Sequence, residues 1–362
     1  MSSVSETISE HTTIGDIRRR YGIKTVGTQH DAVTLTSVAD ALEDITPGAL
    51  YISSTSEYDS RIVHAAARRG AYAVVFMLED KAQSQIAPID MEIPVLFADM
   101  HNDERARIAA DLAGEPSRSL AVFAVQGDSL SWDTEEIDHA DGVSDNDSDS
   151  DTNISADITV PDTEATPRVR SSVITELYDL LHYLGNPLGI IDRRGGISLE
   201  RELSLPTPLS PLDIQRMLYV MVEDGATSVI IDVDDEVLQS LALTKVNVDV
   251  YTNTVNETYN VPQIGPQHTF LTRKSKHDEV EDLRRLARQN IQPYGAEIRD
   301  NTMCVEATDD SRELVREVLG EINERQYENI ATAVAMVLAA GVKRNSVKSA
   351  LRLSYEMKAD KS

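Results

Sequence analysis

The stretch that most constrains this chain is Ser119–Gly127, SLAVFAVQG. A short apolar run that closes on a glycine reads as a buried strand of a parallel sheet. It is also how a phosphate-binding loop begins. Such a loop continues Gly-x-x-x-x-Gly-Lys-Ser/Thr and passes directly into a helix. Here the chain enters DSLSWDTEEIDHADGVSDNDSDSDTNISADITVPDTEATP instead, and a helical pattern resumes only in RSSVITELYDLLHYLG, Arg170–Gly185. Carboxylates stand where phosphates would be held, which argues against ordinary ATP chemistry.

Asp128–Pro167 holds thirteen carboxylates and no Lys or Arg, about half of the net charge of −27. High charge with few aromatic residues predicts that this segment is disordered. The rest of the chain is moderately acidic and offers no basic face to displace counterions, so no nucleic-acid partner is expected. Cys304 is the only cysteine, which excludes an intrachain disulfide and suits a reducing cytoplasm. Its neighbours, TMCVEA, read as a strand, so a buried structural thiol is expected. The opening MSSVSETISEHTT has no apolar core of a signal peptide. The longest apolar run, Ile330–Val342, falls short of the ~18 residues of a membrane span and reads as a buried helix. A cytoplasmic protein without membrane insertion is expected. The eight histidines show no ligand spacing for zinc.

Residues 1–31 read as a mobile arm with a short helical piece. From Val33 to Ala113 strands alternate with helices: ALYIS, then the helix IVHAAARRG ended by Gly70, AYAVVFM, IPVLFAD, and the helix HNDERARIAADLAG. After SLAVFAV and the acidic run come the helix from Arg170, the strand LGIID, and the helix SPLDIQRMLYVMVEDG with Pro211 in its first turn. The strands SVIIDVD and VDVYTN follow. His277–Asn290 reads as a helix, AEIRDNTMCVEATDD as a hairpin or small sheet, and YENIATAVAMVLAAG and SVKSALRLSYEM as two final helices. The alternation predicts an α/β layer structure.

With these elements placed, the chain resembles the Mur ligases over roughly Val33–Leu353, and most resembles the UDP-MurNAc-tripeptide synthetase branch, which adds the third stem residue. TSVADALEDITPGALYIS is similar to the family's uridine-domain opening, HAAARRGAYAVVF to its Ala-x-x-x-Gly-Ala step, and DERARIAADLAGEPSRSL to the run ending in a Pro-Ser turn. LSLPTPLSPLDIQRMLYVMVEDGATSVIIDVDDEVL is similar to its Thr-Thr-Pro segment, helix and Met-Glu-Val-Ser-Ser-His strand end. VDVYTNTVNETYN resembles the Phe-Thr-Asn motif, which matches Asn253, and RQYENIATAVAMVLAAGV the Asn-x-x-Asn helix, which matches Asn329. The resemblance implies a uridine-type N-terminal domain over 32–117. A P-loop-type central domain over 118–362 follows, with a mostly parallel sheet, helices on both faces and the disordered insert 128–167.

The departures from the family pattern bear on chemistry. Arg170 stands at the phosphate-loop Lys, with Ser171 and Ser172 at the two Thr positions, and beyond Gly127 the glycine turn is gone. Asp232 stands at the Mg²⁺-associated Glu, and Asp234, Asp235 and Glu236 replace Ser-Ser-His. Glu257-Thr258 replaces Asp-His, no segment matches the carbamylated lysine, and the family's third domain is expected to be missing. A degenerate nucleotide site at Gly127, Arg170, Ser171 and Ser172 is therefore expected, with no catalytic residue assigned. Its bland counterpart is a surface arginine at a helix N-terminus. Asp232, Asp234, Asp235 and Glu236 are candidate metal ligands, or else a solvated helix start favoured by the dipole. Ser37, Asp40 and Tyr51 are candidate uridine contacts, or else architectural remains. No cofactor is expected, with room left for weak Mg²⁺ or ATP binding. The expected role is a catalytically inactive binding, scaffolding or regulatory protein of peptidoglycan synthesis or cell division. Its expected partners are a cell-wall or division protein with a basic patch and a UDP-MurNAc-type ligand. An active amino-acid ligase with a rebuilt site, and a UDP-sugar sensor, stand as alternatives.

Overall fold

The computed structural model describes residues 12–25, 30–55, 57–77, 91–127, 172–192, 195–204, 209–233, 241–254, 288–320 and 322–361. They form two α/β units, each built on a largely parallel sheet.

The first sheet contains β1 (Lys24–Thr25), β2 (Ser37–Ala39), β3 (Ala49–Ser53), β4 (Ala73–Met77) and β5 (Val95–Ala98), in the order β1-β5-β4-β3-β2. β2 to β5 are parallel and β1 closes the far edge antiparallel. Strands covered on both faces should be apolar throughout, and β3 and β5 are buried at every position. One face is covered by α1 (Ile14–Tyr21) and α3 (Asn102–Leu112), which contribute Ile14, Ile17, Ile108 and Ala109 to a core with Leu50, Ile52, Val75 and Leu96. The other is covered by α2 (Ser60–Arg68), whose Val63 and Ala66 pack on Val74, Phe76 and Phe97.

The sequence reading placed residues 1–31 in a mobile arm with a short helical piece; the helix is present as α1, but it is packed on the first sheet. Residues 12–25 and 30–31 are built into the first unit. Thr13 and Asp16 form a capping box at the start of α1, and Ile14 and Ile17 are each 1 % exposed. Burying each such side chain contributes about 1.5–3 kcal/mol, enough to hold a two-turn helix in place.

The second sheet has the order β12-β11-β6-β10-β7-β8-β9. Its parallel part comprises β6 (Ala121–Gln126), β7 (Leu188–Asp192), β10 (Ser228–Val233), β11 (Asn247–Asn253) and β12 (Glu297–Cys304). An antiparallel hairpin, β8 (Gly195–Ser198) and β9 (Arg201–Ser204), extends the edge beyond β7. On one face lie α4 (Val173–Tyr183), α6 (Asp309–Leu319), α7 (Glu324–Ala339) and α8 (Arg344–Lys361). On the other lies α5 (Pro211–Glu223). α5 begins on a Ser210–Asp213 capping box with Pro211 at its first position. It lies close over β7 and β8 because Gly189 and Gly196 carry no side chain there. A Cβ on either would meet the sulfur of Met221 at 2.5 Å or of Met217 at 2.9 Å.

The α/β class with helices on both faces is as expected, and so is α7, whose Ile330, Ala331, Ala333, Val334, Met336, Val337 and Leu338 lie in the core. Cys304 is buried, and burial pushes its thiol up to about 12. Residues 297–304 are not a hairpin but one strand, paired parallel to β11 with a register shift between Val248 and Val250. The turn-like chemistry of the segment is spent inside the strand. Thr302 Oγ1 donates to the Val248 carbonyl at 2.7 Å and accepts from Arg299 N at 2.9 Å. Of the helix expected over 277–290, only 288–290 fall within the described residues, and they are helical. The insert 128–167 lies outside them.

The passage between the units is pinned. Glu115 adopts a left-handed φ of 54° ahead of Pro116. Buried Ser117 then donates to the Lys245 carbonyl and accepts from Asn247 N at 3.1 Å and Nδ2 at 2.8 Å, fastening the connection to the start of β11.

Candidate functional site

In an open parallel sheet, ligands sit outside the carboxyl ends of the strands, where the chain leaves a central strand in opposite directions. β6 is that strand. Its chain proceeds past β10 to β7, and β11 lies on its other side. The rim therefore comprises the ends of β6, β10 and β11 and the start of α4.

β6 ends at Gln126, and Gly127 follows in a left-handed conformation, φ 84°, as the first residue of a phosphate loop would. α4 begins at Val173, with Ser172 as its N-cap. The Ser172 hydroxyl accepts from Thr175 N at 3.2 Å and lies 3.0 Å from Thr175 Oγ1. Ser172 is 8 % exposed, so its oxygen serves the helix rather than facing outward. Forty-four residues, 128–171, separate Gly127 from this cap. Arg170 and Ser171 lie outside the described residues.

Asp232 and Thr252 both pair in register with Val125, one from each neighbouring strand. In a pleated sheet such a row shares one face, here the face of Ile230, Phe123 and Val250 that α4 and α7 cover. Asp232 is 3 % exposed and Thr252 1 %. The Thr252 hydroxyl has no hydrogen-bond partner among the described residues. Asp234, Asp235 and Glu236 lie outside the described residues, and within them no group of three or more His, Cys, Asp or Glu converges as a metal site.

The opposite face of the rim is closed by a hydrogen-bonded chain. Tyr251 OH donates to Gln126 Oε1 at 2.5 Å, and Gln126 Nε2 donates to Tyr294 OH at 3.3 Å. The Gln126 carbonyl accepts from Thr254 N at 3.0 Å. Asn253, the last residue of β11, pairs with Gln126 in register and is half-buried. Asn329 is half-buried on α7. The structure thus gathers Gly127, Ser172, Asp232 and Asn253 at one rim. Gln126, Tyr251, Thr252 and Tyr294 belong there too and were missed. The strands were legible, but which residues share a row depends on register.

Ser37 opens β2, and Asp40 follows Ala39, the strand's last residue. Ser37 Oγ lies 2.8 Å from Thr46 Oγ1. Asp40 accepts from Arg216 Nη2 of α5 at 3.3 Å, and burial pushes its carboxyl above the ordinary value against the pull of that arginine. Tyr51 pairs with Ala39 in register and is 6 % exposed, and burial raises its hydroxyl pKa.

No family model matches this chain, and no curated protein matches it. Among solved structures it is similar to UDP-N-acetylmuramoyl-L-alanyl-D-glutamate–2,6-diaminopimelate ligase. That likeness has 12% identity and a TM-score of 0.49, and it covers 95% of this chain and 66% of that one. It is also similar to a MurF from Acinetobacter baumannii, at 13% identity and TM-score 0.46, covering 95% and 67%. The UDP-N-acetylmuramoylalanyl-D-glutamyl-2,6-diaminopimelate–D-alanyl-D-alanyl ligase of the same organism gives 12% and 0.45, covering 96% and 69%. The chain spans about two thirds of the length of these ligases.

Proposed function

We propose that this protein is a catalytically inactive Mur ligase homologue that acts by binding, as a scaffold or regulator in peptidoglycan synthesis or cell division. The observation that carries the reading is the exit from β6. A phosphate loop aims several backbone N–H groups and a helix N-terminus at one anion, with a Lys bridging its oxygens. Here Gly127 is followed by a segment carrying thirteen carboxylates and no Lys or Arg up to Pro167, and the helix start is capped by its own Ser172. Acyl-phosphate chemistry needs a positioned γ-phosphate, and this exit supplies neither the glycine turn nor the lysine. The retained ligand we assign to the first unit is a UDP-MurNAc-type nucleotide sugar near Ser37, Asp40 and Tyr51.

Asp232 favours the competing reading, an ATP-dependent amino-acid ligase with a rebuilt site. It is a buried carboxylate at the carboxyl end of β10, where Mg²⁺ chemistry would need one. One set of measurements separates the two. Thermal shifts of the full chain with ATP–Mg²⁺, UDP, UDP-MurNAc and UDP-MurNAc-peptides should rise with the UDP-sugars and not with ATP. Incubation with ATP, UDP-MurNAc-dipeptide and amino acids should release no ADP. Stoichiometric ADP release that is lost in Asp232→Asn would establish the ligase instead.

A further inference from the structure

One guanidinium ties the two units together. Arg216 on α5 donates through Nη2 to the Val38 carbonyl and to Asp40, each at 3.3 Å, and through Nη1 to Asp44 at 3.0 Å. Its own helix adds Asp213 at 3.3 Å, the residue that also closes the Ser210 cap. Three of these four acceptors come from the first unit. The Arg216 side chain is 21% exposed, so these pairs are screened less than surface pairs. The same helix places Leu212 in the core of the first unit.

Beside the guanidinium the seam is poorly filled. A solvent-open cleft of about 60 Å³ lies between β2, α3 and α5, lined among others by Ser37, Val38, Ala109, Leu112, Gln215 and Tyr219. Close packing resists motion; here Leu212 and the α3–α5 contact supply some of it, and the cleft beside Arg216 interrupts it. Three carboxylates also face one cation, so Asp40 is not the only group able to hold Arg216.

We propose that Arg216 is a lock fixing the orientation of the first unit against the second, and that Asp40 is its release point. A ligand that hydrogen-bonds to Asp40 draws away one of the two first-unit carboxylates that hold the guanidinium, so occupancy of the first unit loosens the seam between the units. The lock stands on the geometry alone. The release point rests on the nucleotide-sugar reading given above.

Spin labels on the full chain test the lock. Tyr72 and Leu353 are 47% and 44% exposed, one in each unit, and accept labels as Tyr72→Cys and Leu353→Cys. Cys304 is buried and does not compete for label. Pulsed-EPR distances should form one narrow distribution in the labelled parent and a broad or two-component one in Arg216→Met. An unchanged narrow distribution overturns the lock. Should Arg216→Met fail to fold by circular dichroism, Asp40→Asn/Asp44→Asn strips two acceptors and is judged by the same criterion. Calorimetry with UDP-MurNAc tests the release point. Arg216→Met should bind at least about fivefold more tightly than the parent, because no cation competes for Asp40. Equal affinity overturns the release point. Binding to neither protein overturns the nucleotide-sugar reading together with the release point, and the distance distributions still decide the lock.

Discussion

Ser172 illustrates how one side chain changes what a helix start does. Its hydroxyl accepts from Thr175 N, so an oxygen at the position of a phosphate-loop threonine serves the helix. Ser172→Ala should cost about 1 kcal/mol of stability, the usual worth of an N-cap, read as a lower midpoint in urea. At α1 the same chemistry gives a pH signature. The Asp16 carboxyl is held below its ordinary value, chiefly by the Thr13 hydroxyl and then by the Thr13 backbone N–H. A carboxylate whose folded pKa is depressed contributes stability that is full above its unfolded pKa and lost as pH falls through the folded one. Thr13→Ala should therefore raise the Asp16 pKa toward the ordinary value in a carboxylate NMR titration. It should also flatten the acid limb of the stability curve, the loss relative to the parent being fully present above about pH 5 and shrinking as the carboxyl is protonated. Cys304 gives a third check. Burial pushes its thiol up to about 12, so a thiol reagent at pH 8 should react only as fast as the second sheet opens.

Elements were legible where a local signal and the tertiary demand agreed. β3, β5, β6 and β10 read as strands because both faces are covered. α5 read as a helix because Ser210, Pro211 and Gly225 bracket an apolar period. The failures have physical causes. α1 reads as a helical piece of a mobile arm, and its docking was not legible because Ile14 and Ile17 bury against a sheet formed far along the chain. β12 carries polar residues that suggest a turn, but Thr302 answers them within the strand. The site divides the same way. Gly127 and Asp232 were visible as strand ends. The row that sets Thr252 beside Asp232 and the reach of Arg216 to Asp40, 176 residues away, exist only once the sheets are registered. α8 adds an element-scale prediction. Its Lys358 pairs with Glu176 at 3.1 Å and Asp179 at 2.8 Å on α4, and Tyr355 OH donates to Glu176 at 3.3 Å. Glu176 is 2 % exposed, so Lys358→Met takes the cation from a buried carboxylate and leaves it the Tyr355 hydroxyl. Because Lys358 itself is a third exposed, the loss should be about 1–3 kcal/mol rather than the full value for an enclosed pair. Lys358→Met/Glu176→Gln should recover most of it, and a double-mutant cycle in urea measures the coupling.

At the scale of the whole molecule, charge is concentrated rather than spread. Thirteen carboxylates fall in Asp128–Pro167, within a chain of net charge −27. The flanking points, Gly127 and Ser172, both belong to the rim of the second sheet, so the acidic run leaves and returns at the carboxyl end of that sheet. Two roles follow from that placement. An acidic segment of low aromatic content suits rapid, salt-sensitive association with a basic surface, such as the cytoplasmic segment of a cell-wall or division protein. It also serves as a tether that keeps the chain soluble. Deleting Asp128–Thr166 separates the two, because every described strand and helix lies outside that run. The shortened protein should keep its circular dichroism spectrum and its melting transition. If the run is a contact, partners recovered with the parent are lost with the deletion, and parent binding falls steeply between 50 and 200 mM salt, as expected when several charges pair (about one decade or more). Recovery of the same partners with the same salt dependence from both proteins would make the run a tether. The binding role proposed above would then have to reside in the first unit, where Asp40 and Arg216 meet.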